Sequence, residues 1–154
     1  FCFDLLDPRA NPDALREMTG RILDSSRRHG LSIPCCINGF IGYCQNLLLH
    51  PLKSMRVDAL NWWEKAITLA SSLGARTCGG FLGAMSSEAS RDQRARTRLE
   101  TGLVDDVNHL TDIGASLGQE SFIWEAMPVS NEILTFLNFS LDFGLKLWLF
   151  KYHG

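Results

Sequence analysis

Short apolar segments alternate with amphipathic segments along the first 128 residues, and this alternation constrains the fold more than any other feature of the sequence. The apolar segments are predicted strands, and the segments with a helical apolar period are predicted helices. The four predicted strands are FCFDLLDP (1–8), LSIPCCING (31–39), RTCGGFLGAMS (76–86) and SFIWEAMP (121–128). Strands and helices in strict alternation are typical of a parallel sheet with right-handed crossovers. The sequence therefore predicts an α/β fold in which helices flank a parallel sheet.

Three helices are predicted between these strands. Their apolar stripes are Leu15, Met18 and Ile22 in residues 13–29; Leu60, Trp63, Ile67 and Ala70 in residues 56–75; and Leu103, Val107, Leu110 and Leu117 in residues 101–119. A glycine follows each stripe, and glycine is the residue that most readily adopts the left-handed conformation at a helix C-terminus. Asn11 or Asp13 is positioned to cap the first helix.

The composition is typical of one soluble globular domain. The chain has 154 residues, of which 45% are hydrophobic and 21% charged, and its net charge is −2. Such a charge gives no reason to expect binding to nucleic acid or to an anionic membrane. The apolar stretch 133–150 contains Asp142 and Lys146. Because a charge is costly at the centre of a bilayer, no membrane-spanning helix is predicted there.

The cysteines and the start of the chain bear on its cellular context. The five cysteines are an odd number without a C-x-x-C pair, so neither a zinc site nor a disulfide framework is predicted. Reduced thiols in a cytoplasmic protein are the simplest interpretation. The sequence begins at Phe1 without an initiator methionine or a signal peptide, and the expectation from this start is a fragment or a trimmed chain.

Polar residues at the carboxyl ends of the predicted strands are the candidates for a functional site, because the strand-to-helix loops of parallel α/β folds gather there. Glu125 comes directly after the apolar segment Phe122–Trp124, where a carboxyl group has a raised pKa or needs a cationic partner. The pattern fits a functional glutamate and a structural glutamate paired with an arginine equally well. The other strand-end candidates are Asp4, Asp7, Asn38, Met85 and Ser86.

Three further features each leave two interpretations open. His50 is either a structural hydrogen-bonding residue, which is the commoner case, or a ligand-binding residue. The pair Gly79–Gly80 belongs to no phosphate-binding motif, and it predicts close approach of the backbone to a ligand or to a neighbouring strand. The arginines in residues 91–98 indicate a solvated helix start or, with less support, a patch for phosphate or nucleic acid.

Three stretches resemble one protein family: NLLLHP, WWEKAITLASSLGARTCGGFLGAMS and IWEAMP. They are similar to the xylose-isomerase-like sugar phosphate isomerases and epimerases, which are (β/α)8 barrels, and among these to ketose 3-epimerases and ketotetrose-phosphate epimerases. The resemblance runs from Phe1 to about Glu132. It implies that residues 1–132 form an incomplete TIM-barrel domain with roughly strands two to five. Residues 133–154 are then an atypical C-terminal tail, in which residues 137–147 alternate between apolar and polar side chains.

The same resemblance implies a mechanism. Members of the family hold a divalent cation, Mn²⁺ or Mg²⁺, with a Glu, Asp, His and Glu set at four successive strand ends. Two of those glutamates move a proton next to the ketose carbonyl through an enediolate. Glu125 matches the first glutamate of the set, both as metal ligand and as catalytic acid/base. His50 matches a position near the substrate pocket. Glu132 matches the glutamate of an arginine–glutamate pair that meets the substrate phosphate, with Asn131 in place of the arginine.

Two functions remain open on the sequence. The strands that would supply the other Asp, His and Glu of the metal set find no match, since Asp142 and His153 lie in the tail. The first expectation is therefore a truncated sugar phosphate isomerase or epimerase whose metal site is incomplete, which is compatible with an inactive protein. The alternative is a non-catalytic sugar-binding or assembly module. In either case a small-molecule sugar phosphate is the expected ligand, and a homo-oligomer is compatible with the exposed sheet edges of a partial barrel.

Overall fold

A parallel sheet of three strands forms the centre of the protein, in a computed structural model that describes residues 1–40, 44 and 47–125. The strands are β1 (Cys35–Ile37), β2 (Thr77–Gly80) and β3 (Ser121–Trp124), and they lie side by side in chain order. Cys36 is the register partner of Cys78, and Cys78 is the register partner of Phe122. The prediction of a parallel α/β fold is confirmed.

The first predicted strand is present only as a single bridge. Cys2 pairs in parallel with Ile37, so this segment occupies the position next to β1. The backbone turns immediately afterwards, because the amide of Leu5 donates to the carbonyl of Cys2 at 3.1 Å. The prediction of a strand over residues 1–8 is therefore wrong beyond the bridge, although Phe3 and Leu6 of this segment are buried in the core.

Two of the three predicted helices begin and end close to the predicted positions. The structure has α1 (Pro12–Arg28), a 3₁₀ helix (Leu47–Leu49), α2 (Lys53–Ser72), α3 (Ser87–Arg91) and α4 (Gln93–Ser116). Asn11 caps α1 as predicted: its Oδ1 accepts from the amide of Ala14 at 2.9 Å. Gly30, Gly74 and Gly118 follow the three long helices in the left-handed conformation, which also agrees with the prediction.

The last long helix, α4, differs most from its prediction. It starts at Gln93, eight residues before the predicted start at 101, because Asp92 caps it. One carboxylate oxygen of Asp92 accepts from the amides of Arg94 and Ala95, at 2.8 and 3.1 Å. Leu117 is not part of the buried stripe. It lies beyond the helix and is 39% exposed.

Helices α2 and α4 pack against each other and against one face of the sheet. The indole of Trp63 on α2 contacts the ring of Phe122 on β3 edge to face, with 5.4 Å between ring centroids. Cys36, Cys78, Phe122 and Trp124 share this face and are all buried. We call it the helix-covered face. Burial of this face and of the apolar sides of α2 and α4 forms the hydrophobic core.

The opposite face of the sheet is much more accessible, and we call it the open face. Because side chains alternate along a strand, the residues between those of the helix-covered face lie on it. Ile37 is 41% exposed, and the neighbouring side chains of β1, β2 and β3 are only partly buried. The residues of the open face are Cys35, Ile37, Thr77, Gly79, Ser121 and Ile123. In a closed (β/α)8 barrel such a face would line the interior.

Helix α1 packs only peripherally against this core, through the partly buried Leu15 and Ile22. None of its residues is buried, and Met18 on its apolar side is 37% exposed. A groove of about 640 Å³ separates the N-terminal half of α1 from the C-terminal half of α2, with Leu15 and Leu69 among the residues that line it. Helix α1 therefore contributes little buried surface to the fold.

Some predictions fall outside the described residues. These are the domain division at residue 132 and the alternating tail 133–154. Among the helices that the structure does describe, none combines the length and the apolar character needed to cross a bilayer.

Candidate functional site at the carboxyl ends of the strands

Glu125 continues the sheet by one residue beyond β3. Its amide donates to the carbonyl of Gly80 at 2.9 Å, so the backbone ladder between β2 and β3 extends to this position. Trp124 is on the helix-covered face and is only 3% exposed. The alternation of side chains therefore assigns Glu125 to the open face, together with Ile123. Glu125 therefore lies directly after a buried strand, where the sequence predicted it, whereas its role stays a prediction.

Asn38 follows β1 and holds the end of β2 in place. Its Nδ2 donates to the carbonyl of Phe81 at 2.6 Å, and its Oδ1 accepts from the amide of Phe81 at 2.8 Å. The side chain is only 3% exposed. An amide group can satisfy a backbone N–H and a backbone C=O of one residue at once, because it carries a donor and an acceptor side by side. Asn38 thus fixes the backbone of Phe81, just beyond β2, to the end of β1.

We call the two hydrogen bonds between Asn38 and Phe81 the clamp. The sequence signal for it is ambiguous. Asn38 is the polar residue that ends an apolar segment, and it was a candidate on that ground alone. A buried asparagine at a strand end has to find partners for both of its polar atoms. Its partner Phe81 lies 43 residues further along the chain, so no local pattern could identify it.

The paired glycines allow the close approach that the sequence predicted. A Cβ atom on Gly80 would overlap Oδ1 of Asn38, and a Cβ on Gly79 would overlap the backbone of Ile123. The φ angle of Gly80 is +127°, which side chains other than hydrogen rarely permit. Of the two predicted purposes, the structure therefore shows approach to the neighbouring strands.

His50 also belongs to a segment that follows the carboxyl end of a strand, since it lies after β1 and the 3₁₀ helix and before α2. Its Nδ1 accepts from the amide of Leu52 at 3.1 Å, and its carbonyl accepts from the guanidinium of Arg56 at 2.8 Å. In the neutral imidazole this leaves the proton on Nε2, which can then donate a hydrogen bond. The segment before His50 contacts the loop after β2, because the amide of Leu48 donates to the carbonyl of Leu82 at 3.0 Å.

The remaining strand-end candidates have structural roles. Asp4 accepts from the amide of Phe40 at 2.7 Å, and Asp7 accepts from the amide of Arg9 at 2.9 Å. Ser86 caps α3, with its hydroxyl oxygen accepting from the amide of Ala89 at 3.1 Å, while Met85 is 2% exposed in the core. Glu125 and His50 therefore remain as the described candidates for contact with a ligand.

The last candidates are Glu132 and the arginines in residues 91–98, and the structure describes only the arginines. Glu132, predicted to bind substrate, lies outside the described residues. Arg91 and Arg94 are exposed, and Arg96 pairs with Glu100 at 2.8 Å along α4. These positions agree with the solvated helix start that the sequence favoured.

The implied metal centre is not assembled by the part of the chain that the structure describes. In residues 1–40, 44 and 47–125, no three side chains of His, Cys, Asp or Glu lie close enough together to hold a cation. Glu125 offers one carboxylate, whereas Mg²⁺ or Mn²⁺ needs several oxygen ligands in a regular geometry. The described residues alone therefore do not fit the predicted metal.

The cysteines are free thiols, and two of them are cross-strand neighbours in the core. Burial is the main cause that raises the pKa of Cys36 to about 11; the N-terminal ammonium group of Phe1 lowers it and Cys35 raises it. Burial also raises the pKa of Cys78, with Cys36 and Cys35 as further causes. Protonated, buried thiols are poor nucleophiles and poor metal ligands, so these cysteines belong to the core and not to a reactive site.

Comparison with known proteins gives the fold. No protein-family model and no curated protein sequence matches the chain. A candidate xylose isomerase from Rhodospirillum rubrum superposes with a TM-score of 0.82 at 20% identity, over 96% of this chain and 52% of that one. A xylose isomerase domain protein from Planctomyces limnophilus gives 0.63 at 18% identity, over 90% and 49%. The 3-keto-D-glucoside 4-epimerase from E. coli gives 0.67 at 11% identity, over 88% and 54%.

These similarities confirm the predicted fold class. The chain has the α/β architecture of part of a xylose-isomerase-like TIM barrel, and it spans about half the length of the structures it matches. The resemblance seen in the sequence is thus confirmed at the level of the fold. Identities of 11–20% carry no residue role from those proteins to this one.

Proposed function

We propose that this chain forms part of a sugar isomerase or epimerase barrel, in which Glu125 transfers a proton at the carbon next to a ketose carbonyl. The observation that carries the proposal is the placement of Glu125 on the open face, one residue beyond β3, at the carboxyl end of a parallel sheet. Functional residues of TIM barrels gather at that end. A sugar phosphate is the proposed substrate class, and Glu132 is proposed to contact it.

The chemistry follows from the two candidate side chains. The carboxylate of Glu125 takes the proton as the C–H bond breaks, and the bonding electrons move toward the carbonyl oxygen to give an enediolate. A hydrogen-bond donor near that oxygen stabilises the developing charge. Nε2 of His50 is the proposed donor, because Nδ1 already accepts from the amide of Leu52.

Asn38 and Gly80 serve this site indirectly. Asn38 fixes Phe81, and the carbonyl of the preceding Gly80 accepts from the amide of Glu125. The position of the carboxylate therefore depends on the clamp at the end of β2. A divalent cation would stabilise the enediolate oxygen when bound, but it needs ligands beyond the described residues. The proton transfer proposed here uses the carboxylate of Glu125 and the Nε2 donor of His50, which both belong to the described residues.

Deuterium exchange tests the proposal. The chain is incubated with a ketose phosphate such as erythrulose phosphate in heavy water, with and without Mn²⁺, and deuterium at the carbon next to the carbonyl is followed by NMR. Exchange above background should fall at least about a hundredfold in Glu125→Gln, since removal of a general base costs on the order of 10²–10⁴ in rate. Glu17→Gln, on the exposed side of α1, is the matched control and should exchange like the unchanged chain.

Two results would contradict this function. Exchange that is equal in Glu125→Gln and in the unchanged chain would remove the proposed role of the carboxylate. Sugar phosphate binding without any exchange would favour the non-catalytic sugar-binding module instead.

A further inference from the structure

Arg56 binds the backbone at the point where the chain enters α2, in the turn formed by residues 50–52. Its Nη1 donates to the carbonyl of His50 at 2.8 Å and to the carbonyl of Pro51 at 3.1 Å. The side chain belongs to the first turn of α2 and is partly buried. Hydrogen bonds from an ionised donor are stronger than those between neutral groups. Arg56 therefore fixes two successive peptide groups of the turn that carries His50.

The second of these peptide groups also holds the imidazole ring. It joins Pro51 to Leu52, and its N–H donates to Nδ1 of His50 at 3.1 Å. Because a trans peptide group is planar, its C=O and its N–H point in opposite directions and turn together. The guanidinium group that binds the carbonyl of Pro51 thus sets the direction of the N–H of Leu52. Nδ1 accepts this bond only when it carries no proton, so the contact keeps the proton of the neutral ring on Nε2.

Other contacts give this turn less support from α2. Leu52 is the N-cap residue of the helix, but its side chain makes no capping hydrogen bond. Pro51 has no N–H to donate. The carbonyl of Leu52 accepts from the amides of Met55 and Arg56, at 3.1 and 3.2 Å, and these bonds lie beyond the peptide group that holds the ring. Among the described side chains, that of Arg56 therefore ties the turn to the helix.

Asp106 on α4 places an opposite charge near the guanidinium group. Burial raises the pKa of the Asp106 carboxyl group, and Arg56 is the largest cause that acts in the opposite direction. A cation has this effect because it favours the ionised carboxylate, so the two side chains attract each other. Since α2 and α4 pack together, this attraction opposes the departure of the Arg56 side chain into solvent.

We propose that Arg56 is a positioning residue for the candidate site: it orients the peptide group between Pro51 and Leu52, and through it holds the imidazole of His50 with Nε2 free to donate. The proposal rests on the function proposed above, in which Nε2 of His50 binds the oxygen of the developing enediolate. Arg56 itself does not touch the substrate. Because this bond gains strength as charge develops on the oxygen, loss of Arg56 should lower the rate of proton transfer and leave substrate affinity nearly unchanged.

Deuterium exchange at saturating erythrulose phosphate tests this role. In Arg56→Ala the rate should fall at least about tenfold, as a part of the roughly 10²–10³ that loss of an entire oxyanion donor costs. The KM should change by less than about threefold. Arg56→Lys should recover part of the rate, because an ammonium group can still donate to one of the carbonyls. Lys53→Ala is the matched control, since it removes an exposed cation from the same turn of α2, and it should exchange like the unchanged chain.

A double-mutant cycle separates positioning from a general effect on the fold. If Arg56 acts through His50, Arg56→Ala should change the rate by less than about twofold in a chain that already carries His50→Gln, because the effects of residues that act as a unit are not additive. An equal loss in both backgrounds would overturn the proposal, since Arg56 then acts independently of His50. A raised KM with an unchanged saturating rate would also overturn it, because Arg56 would then bind the substrate directly.

NMR of the Leu52 amide tests the contact without any activity. A ring that gains a proton on Nδ1 no longer accepts from this amide. Its resonance should therefore shift as the pH falls from about 8 to about 5, the range in which histidine side chains generally change charge. The shift should be clearly smaller in Arg56→Ala, where the peptide group is free to turn, and unchanged in Lys53→Ala.

The two readouts fail in different ways. A shift of equal size in Arg56→Ala and in the unchanged chain would overturn the proposal, because the ring is then held without the guanidinium group. An unchanged chain without any deuterium exchange would refute the function proposed for Glu125 and His50, and with it the effect of Arg56 on rate. The Leu52 amide would still decide whether Arg56 holds the ring.

Discussion

Replacement of Asn38 probes the contact on which the candidate site depends. In Asn38→Ala both hydrogen bonds to Phe81, of 2.6 and 2.8 Å, are lost in a position that is only 3% exposed. The N–H and C=O of Phe81 then each lose their bond to Asn38 in a buried position, and each such loss costs about 1–3 kcal/mol. The free energy of unfolding should therefore fall by about 2–6 kcal/mol. Urea unfolding followed by tryptophan fluorescence measures this change, since Trp62 and Trp63 are buried.

Asn38→Asp separates the hydrogen bonds from the shape of the side chain. An ionised aspartate accepts from the amide of Phe81 but cannot donate to its carbonyl, whereas a protonated carboxyl group can do both. Burial raises the pKa of such a group in the folded state. Because the folded state then holds its proton more tightly than the unfolded chain, the stability of Asn38→Asp should increase toward that of the unchanged protein as the pH falls from 7 to about 4.

Controls make this pair of variants decisive. Asn61 is exposed on α2, and Asn61→Ala and Asn61→Asp should each change the free energy of unfolding by less than about 0.5 kcal/mol. If Asn38→Ala costs no more than Asn61→Ala, the clamp does not stabilise the fold. If Asn38→Asp shows no relative recovery at low pH, the donor to the Phe81 carbonyl is not the part that matters.

Three further variants test the core, the glycine pair and the buried thiol by urea unfolding. Gly80→Ala should lower the free energy of unfolding by about 2 kcal/mol or more, because its Cβ would overlap Asn38 at a φ of +127°. The control Gly102→Ala lies inside α4 with open space around it and should raise the free energy of unfolding by about 0.5–1 kcal/mol. Equal effects of the two variants would contradict the steric argument. Leu110→Ala should cost about 2–5 kcal/mol, since Leu110 is fully buried, and a cost near zero would place it outside the core. The thiol of Cys36 stays protonated in the folded state up to about pH 11 but ionises near 9.0 when unfolded, so stability should fall between these pH values. Cys36→Ala should remove on the order of 2 kcal/mol of that decrease, and an unchanged slope would refute the assignment.

Local patterns predicted the elements of the fold well where those patterns were themselves the cause of the structure. Asn11 and Gly30 mark the ends of α1 because capping is decided by neighbouring residues. The predicted start of α4 was wrong because the prediction relied on the apolar stripe that begins at Leu103. The helix in fact begins where Asp92 caps it, and this polar residue lies before any buried residue of the helix.

The candidate site was less predictable because its contacts join distant parts of the chain. The position of Glu125 after a buried strand followed from the apolar run before it. The clamp between Asn38 and Phe81, by contrast, depends on the register of β1 and β2, and no periodic pattern encodes register. The same limit applies to a contact of the exposed His109 on α4. It lies 2.7 Å from Glu64, because α4 packs beside α2.

The weak attachment of α1 has a consequence for how the molecule opens. A 17-residue helix without a fully buried side chain is held mainly by its own hydrogen bonds, exposed ion pairs and the partial burial of Leu15 and Ile22, and isolated helices of this length are marginal in water. Helix α1 should therefore unfold and refold many times for each opening of the sheet, and its amide protons should exchange with solvent long before those of α2 and β2. We therefore expect α1 to open as a cooperative unit of its own, while the carboxyl end of the sheet, where Asn38 binds Phe81, stays closed.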